Sequence, residues 1–339
     1  MKNKNFEGKF GPLLIAEIGG NHEGDFEYAK KLTKLAISTN VDFVKFQLYT
    51  GETLVSRVEN PVRNKHFEKF ELSPEQHIEL AKMIIDAGIG YMASVWDEGM
   101  MEWIDPYMPI YKVGSGDLTA FPVLKTIAQK GKPIIISTGL SSESEVIDTV
   151  NYIRSINSKY EGKEFLSVLQ CTSMYPIPQS DSNLAVMTRL KEITETTIGY
   201  SDHTEGLDAL KYAYAMGAEV LEFHFTDTRE GKVFRDHKVS LTPSEVELLI
   251  NEVKIIKNLK GSDEKKALEI EIENDHQITF RRAVYPKTDL KKGEVLTQDN
   301  LTVLRPLHGI DAREYSKVIG KTLTKDVKSH EKLDWSFLE

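Results

Sequence analysis

The sequence predicts an α/β protein, a (β/α)8 barrel followed by a small C-terminal domain, and three observations carry that prediction. Eight short apolar runs recur through the first part of the chain. The segments between several of them repeat their apolar residues with helical period. After residue 260 the composition changes, and the pattern becomes one of short strands and turns. Strands and helices that alternate in this way close a parallel sheet on itself; the competing arrangement is an open, doubly wound sheet.

The strand candidates, in order, are residues 13–16, 43–48, 91–95, 110–113, 134–137, 166–170, 197–200 and 220–224. Between them, Phe26, Ala29, Leu32, Leu35 and Ala36 fall on one helical face, as do Val146, Ile147, Val150 and Ile153. Capping boxes mark helix starts at Ser73 with Gln76, Ser142 with Glu145, and Thr242 with Glu245, the last with Pro243 at the first helical position. The barrel is therefore assigned to residues 1–260. Residues 261–279 read as a charged, partly helical linker. Residues 280–339, with a turn signal at Lys291-Lys292-Gly293-Glu294, form a second domain of about sixty residues, too small to bury a large core alone.

The chain has 339 residues and a net charge of -9. It has no basic tract, which argues against nucleic acid as a partner. Cys171 is the only cysteine, which excludes an intrachain disulfide and a cysteine-clustered metal site. A metal would have to be held by His, Asp or Glu. The first ten residues lack an apolar signal core, and no apolar run is long enough for a membrane span, so the expected compartment is the cytoplasm.

Barrels of this type place their chemistry at the C-terminal ends of the strands. Here those ends are polar throughout: Glu17 with Asn21 and His22; Lys45 and Gln47; Ser94 and Asp97; Lys112, Ser115 and Asp117; Ser137 and Thr138; Thr172, Ser173 and Tyr175; Ser201, Asp202 and His203; His224, then Asp236 and His237. A single histidine or lysine at a strand end has an ordinary structural explanation. Eight polar ends of eight converge on one bowl. Lys45 and Lys112, with Ser94, Ser115, Ser137 and Ser201, make a cradle of cations and hydroxyls suited to a phosphate. His203 and His224 are placed to share a metal with positions left open. Glu17 is a candidate base, and Asp236 a candidate for gripping sugar hydroxyls. Asp97 and Asp202 read as capping or orienting groups.

These motifs closely resemble the sialic acid synthase family, which includes N-acetylneuraminate, legionaminate and pseudaminate synthases. The matching stretches are Ala16-Glu17-Ile18-Gly19 with Asn21-His22, Val44-Lys45-Phe46-Gln47, Lys112 to Leu118, Ser137-Thr138-Gly139, Cys171-Thr172-Ser173 with Tyr175-Pro176, Gly199 to Thr204, and His224-Phe225-Thr226. The tail, from Arg281-Arg282-Ala283 through Asn300-Leu301 to Arg305-Pro306, resembles the family's antifreeze-like (SAF) domain. The resemblance implies a barrel plus SAF domain that condenses phosphoenolpyruvate with an N-acylated amino sugar, N-acetylmannosamine or a diacetamido hexose. It implies phosphoenolpyruvate on Lys45, Ser94, Lys112, Ser115, Ser137, Ser173 and Ser201, and Mn2+ or Mg2+ on His203 and His224. Glu17 would stand at the reacting centre, with the acceptor on Gln47, Asp117, Tyr175 and Asp236. It further implies a domain-swapped homodimer in which Arg305 of one copy reaches the sugar on the other.

Several residues depart from the family pattern: Glu23 for Asn, Phe223 for Lys, Phe234-Arg235 for Gly-Pro, and Ser94-Val95-Trp96 for Thr-Pro-Phe. The cradle and histidines survive these changes, while most of them bear on the acceptor side. Two other readings are a Schiff-base aldolase working through Lys112 or Lys45, and a non-enzymatic sugar-binding protein built round the tail.

Overall fold

The structure is a computed structural model that describes residues 5–339. They form two compact units, one ending at Gly261 and one running from Ser262 to Glu339. In the first, eight parallel strands follow one another: β1 (Gly11–Glu17), β2 (Phe43–Leu48), β3 (Gly90–Val95), β4 (Tyr111–Val113), β5 (Ile134–Ser137), β6 (Leu166–Cys171), β7 (Thr197–Asp202) and β8 (Val220–His224). β1 pairs with β8 from Leu13↔Val220 to Glu17↔His224, which closes the barrel and excludes the open sheet.

A helix follows each strand: α1 (Phe26–Ser38), α2 (Pro74–Asp86), α3 (Glu98–Ile104), α4 (Phe121–Gln129), α5 (Glu143–Ile156), α6 (Val186–Thr194), α7 (Asp208–Ala215) and α8 (Pro243–Lys260). Their starts are where the caps place them. Ser73 and Gln76 exchange hydrogen bonds of 3.3 and 2.8 Å at the head of α2. Asp97 accepts from the Gly99 N–H at 2.7 Å and caps α3, so its capping role holds. No described helix is long and apolar enough to cross a membrane.

Side chains alternate along a strand, so each barrel strand sends every second residue inward. Leu13, Ile15, Met92, Ile110, Ile135, Leu169 and Val220, with Phe6 below them, form an apolar floor inside the barrel. Gly199 belongs at this level because a Cβ there would press on Leu169 and the Val220 carbonyl. Two residues further along the same strands stand Glu17, Ser94, Lys112, Ser137, Cys171, Ser201 and Glu222, and Lys45 follows Phe43 in the same way, all but Phe43 buried. The strand rule thus turns an apolar floor into a polar layer in a single step.

Outside the strands, His22 and His77 pack near Phe46. Burial pushes the His22 imidazole down to about 4; burial, with His22 adding, pushes His77 to about 3. Both groups take up a proton near pH 6.5 in the unfolded chain, but not until the lower values when folded. Stability should therefore fall as pH drops from about 6.5 toward 4, by on the order of 3 kcal/mol from His22 alone. Urea unfolding at about pH 7.5 and about pH 5 measures this, and His77→Phe should flatten the difference. An equal pH dependence in wild type and variant would overturn the assignment.

The second unit pairs β9 (Ala283–Pro286) antiparallel with β10 (Leu301–Leu304) and adds single bridges such as Leu290↔Val327. Its own core gathers Val284, Leu290, Leu296, Leu301, Ile310 and Leu323. Two short helical turns, Glu269–Glu273 and His276–Thr279, precede β9, with Leu268, Ile270 and Ile272 exposed.

Candidate active site

The polar layer brings the predicted cradle residues together. Lys45 Nζ lies 2.5 Å from Glu17 Oε2 and 3.4 Å from Ser94 Oγ. Lys112 Nζ donates to Ser137 Oγ at 2.7 Å and to the Val113 carbonyl at 3.0 Å. Gln47 Nε2 donates to Glu17 Oε1 at 2.8 Å. Ser115 Oγ accepts from the Gly139 N–H at 3.0 Å, at the rim of the layer.

Sequence reasoning missed the residue that joins the two lysines. Glu222 Oε1 stands 3.4 Å from Lys112 Nζ and accepts from Ser201 Oγ at 3.0 Å, while its Oε2 is 3.9 Å from Lys45 Nζ. A signal was present: Glu222 lies two positions before His224 on one strand, so both must face inward. The layer thus holds two ammonium groups and two carboxylates away from water. Burial, reinforced by Glu222, pushes the Glu17 carboxyl above the usual carboxylate range, although Lys45 opposes it. Burial likewise opposes ionisation of Glu222, but Lys112 and Lys45 outweigh it and hold its carboxyl low. Burial pushes the Lys112 ammonium down, and Glu222 offsets part of that.

His203 and His224 meet above the layer, ring centroids 5.3 Å apart. His203 Nδ1 is 2.7 Å from the Thr172 carbonyl, which can only accept, so Nδ1 carries a proton; burial opposes a second one, but Cys171 and the Thr172 carbonyl outweigh it and hold the ring above the usual histidine range. Burial and the neighbouring His203 hold His224 well below the usual histidine range, and its Nδ1 has no hydrogen-bond partner. With His203 Nδ1 committed to Thr172, its Nε2 and the neutral His224 are the donors a shared divalent cation would use, displacing the second His203 proton. No third His, Cys, Asp or Glu completes a cluster among the described residues, which leaves positions for water and substrate. Asp202 accepts from the Thr204 N–H and from its hydroxyl at 2.9 and 3.0 Å, and so orients the strand end beside His203.

Tyr175 packs on both histidines, with centroids at 4.0 Å from His203 and 5.6 Å from His224. Asp236 is buried in a single turn, Asp236–Val239. Asn21 Nδ2 donates to Ser240 Oγ and to the Phe225 carbonyl, each at 2.8 Å, and Ser240 Oγ donates to the Asp236 carbonyl at 2.7 Å. His237 Nδ1 lies 2.7 Å from Thr226 Oγ1, and its Nε2 lies 3.3 Å from Glu23 Oε1. The loops after β1 and β8 are thereby tied to each other around Asp236. Asp117 sits near Trp96, its carboxyl pushed up to about 6 by burial although Lys112 opposes this. Tyr49, Phe67 and Trp96 stack into a wall on this side, with Tyr49 5.2 Å from Trp96 and 4.9 Å from Phe67.

Ser173 lies at the edge of the bowl. It also borders a cavity of about 400 Å3 between the loops after β5 and β6, which Lys45, Lys112, His203 and His224 do not line. That cavity therefore sits beside the chemistry rather than at it. Arg305 belongs to the second unit, its guanidinium 5.6 Å from the Phe280 ring centroid.

The chain is 34% identical over 332 residues to the N,N'-diacetyllegionaminic acid synthase of Campylobacter jejuni, covering 94% of this chain and 98% of that protein. It is 34% identical to the N-acetylneuraminate-9-phosphate synthase of Homo sapiens, over 86% of this chain and 82% of that one. The crystal structure of N-acetylneuraminic acid (sialic acid) synthetase from Leptospira borgpetersenii, in complex with citrate, superposes with a TM-score of 0.71 at 28% identity, covering 78% of this chain and 90% of that chain. Residues 281–339 match the SAF domain. Residues 32–265 match the NeuB family, and the chain belongs to that family.

Proposed function

We propose that this chain condenses phosphoenolpyruvate with the open-chain aldehyde of an N-acylated amino sugar, giving a nine-carbon 2-keto-3-deoxy sugar acid and phosphate. The observation that carries the reading is the buried layer in which Lys45 and Lys112 share hydroxyls and carboxylates directly beneath His203 and His224. Relatives named as N,N'-diacetyllegionaminic acid, pseudaminic acid and N-acetylneuraminate-9-phosphate synthases support N-acetylmannosamine or a diacetamido hexose as the kind of acceptor.

Lys45, Lys112, Ser94, Ser137 and Ser201 would hold the phosphate, with Ser115 and Ser173 at its margins. Gln47, Asp117, Tyr175 and Asp236 would align the sugar against it, so much of the rate would come from positioning. Mn2+ or Mg2+ held by His203 and His224 would supply Lewis-acid polarisation of the aldehyde carbonyl. The enol carbon attacks that carbonyl carbon, and water adds to carbon two. The adduct then collapses with cleavage of the carbon–oxygen bond to release phosphate. Glu17, buried and with a raised pKa, is placed to take the proton from the water.

The lysines themselves argue against the aldolase reading. Burial opposes the Lys45 charge, but Glu17 and Glu222 outweigh it and hold its ammonium high, while Lys112 has Glu222 at 3.4 Å as a counter-charge, which suits charged anion binders rather than free amine nucleophiles. The exposed Val58, Leu140, Met174 and Val233 lie on the loops that follow barrel strands, and Val62 on the helix Pro61–Phe70 between β2 and α2; they support a homodimer in which the partner's SAF domain covers the barrel mouth. Arg305 would then read the N-acyl group. A monomer at micromolar concentration in sedimentation would refute that arrangement. The reaction belongs in the cytoplasm, where phosphoenolpyruvate is made.

The test is phosphate release from phosphoenolpyruvate in the presence of Mn2+ and a panel of amino sugars. Release that requires one sugar and stops with chelator is expected. Sugar binding without any release from phosphoenolpyruvate would refute the synthase.

A further inference from the structure

Glu23 stands in an unusual place for its residue type. It lies in the loop between β1 and α1 with φ 52°, in the left-handed region that glycine and asparagine occupy readily and other side chains seldom do. The turn is held by backbone alone: the Glu23 N–H donates to the Gly20 carbonyl and the Asp25 N–H to the His22 carbonyl, each at 2.9 Å. Nothing in that turn calls for a glutamate. A reason lies on the loop after β8, where His237 Nε2 is 3.3 Å from Glu23 Oε1. Neighbours of Glu23 tie the same two loops. A Cβ on Gly20 would meet the Phe234 ring at 3.2 Å, and Asn21 donates to the Phe225 carbonyl and to Ser240. The Glu23 contact does more, because it decides which nitrogen of His237 carries the proton. Burial comes first in holding that ring below the usual histidine range, against the pull of Glu23, and the field of Lys232 adds to it. The ring is therefore neutral at pH 7, with one N–H. A carboxylate oxygen can only accept, so the N–H is at Nε2 and points at Glu23. Nδ1 then accepts from the Thr226 hydroxyl at 2.7 Å, a shorter contact than that hydroxyl makes with the Thr228 carbonyl at 3.1 Å or the Asp227 carboxylate at 3.4 Å.

His237 thus bridges the loop after β1 to the residues just beyond β8, and it does so from the position next to Asp236. The turn Asp236–Val239 has four residues, too few to hold its own geometry, so its side-chain ties impose the orientation of the Asp236 carboxylate. We propose that Glu23 is a positioning residue for the acceptor: through His237 it locks the turn that carries Asp236 in the orientation that grips the sugar. This rests on the condensation proposed above and adds to it a residue that does not touch the substrate. The backbone conformation fits the same account. Asn suits a left-handed backbone better than Glu, but its side chain is one methylene shorter and stops short of His237. A strained backbone at a loop tip is retained where its side chain serves the site.

The experiment compares the full-length wild type with Glu23→Asn and Glu23→Gln, using Mn2+, phosphoenolpyruvate and whichever N-acylated amino sugar the wild type turns over, and reads both KM values, kcat and the melting temperature. Glu23→Asn should raise KM for the sugar by about 3- to 10-fold, the scale of one lost hydrogen bond, with kcat and KM for phosphoenolpyruvate within about twofold of wild type. Its melting temperature should be equal or higher, because the left-handed backbone is relieved. Glu23→Gln should keep KM for the sugar within about twofold, since its amide oxygen still accepts from His237 Nε2. A glutamate that served only the fold would give another pattern, a lower melting temperature in Glu23→Asn with all three kinetic constants shifted together, and that result overturns the proposal. An unchanged sugar KM in Glu23→Asn overturns it too, as does a Glu23→Gln variant impaired as much as Glu23→Asn. Each of these leaves the condensation standing, because the wild type is turning over in the same assay. No turnover of any sugar by the wild type overturns the condensation, and this proposal with it.

Discussion

Lys112→Met should abolish phosphate release, with kcat down by about 10³-fold or more, and should also destabilise the barrel by about 3–5 kcal/mol. The two losses have different origins. Stability falls because Glu222, whose nearest cation is Lys112 at 3.4 Å, is left buried with only the more distant Lys45 at 3.9 Å. Activity falls because the anion loses one of its two fixed charges. A second substitution separates them. Glu222→Gln removes the stranded carboxylate and keeps an acceptor for Ser201. The double variant should recover most of the urea midpoint and none of the turnover. Recovery of turnover together with stability would mean that Lys112 only holds Glu222, and the cradle reading would fall.

His224→Ala should leave the fold intact and lower kcat by about 10³-fold, the scale of losing a Lewis acid that supplies several kcal/mol to the transition state. His224 is buried but makes no hydrogen bond through Nδ1, so its removal orphans no partner at that atom. Melting temperature should move by a few degrees only. Stripping the wild type with chelator and restoring Mn2+ should cycle its activity off and on, while the variant responds to neither. Near-wild-type turnover of His224→Ala in metal-free buffer would remove the metal from the reaction.

The fold was readable because it repeats one rule. Most strands carry an apolar inward residue followed, two positions on, by a polar one, as in Ile135 then Ser137 or Ile110 then Lys112. Strand limits were less readable. The sixth and seventh strands run on to Cys171 and Asp202 because the parallel ladder continues through polar residues that look like loop. Glu222 escaped notice because a carboxylate in a phosphate site looks like an error until the lysine it pairs with is known. That pairing joins residues from β4 and β8, and no local pattern reports it.

The seam between β1 and β8 also governs when this site can exist during synthesis. Glu17 stands beside Lys45 on one side and His224 on the other, and Glu222 faces both lysines. The earliest translated strand therefore depends on the latest. A nascent chain that has emerged only as far as β7 lacks the counter-charge for Lys112, one of the paired histidines, and the ladder that closes the wall. Such a chain leaves Lys112 without its carboxylate and the wall open, so the complete site exists only once β8 has joined β1.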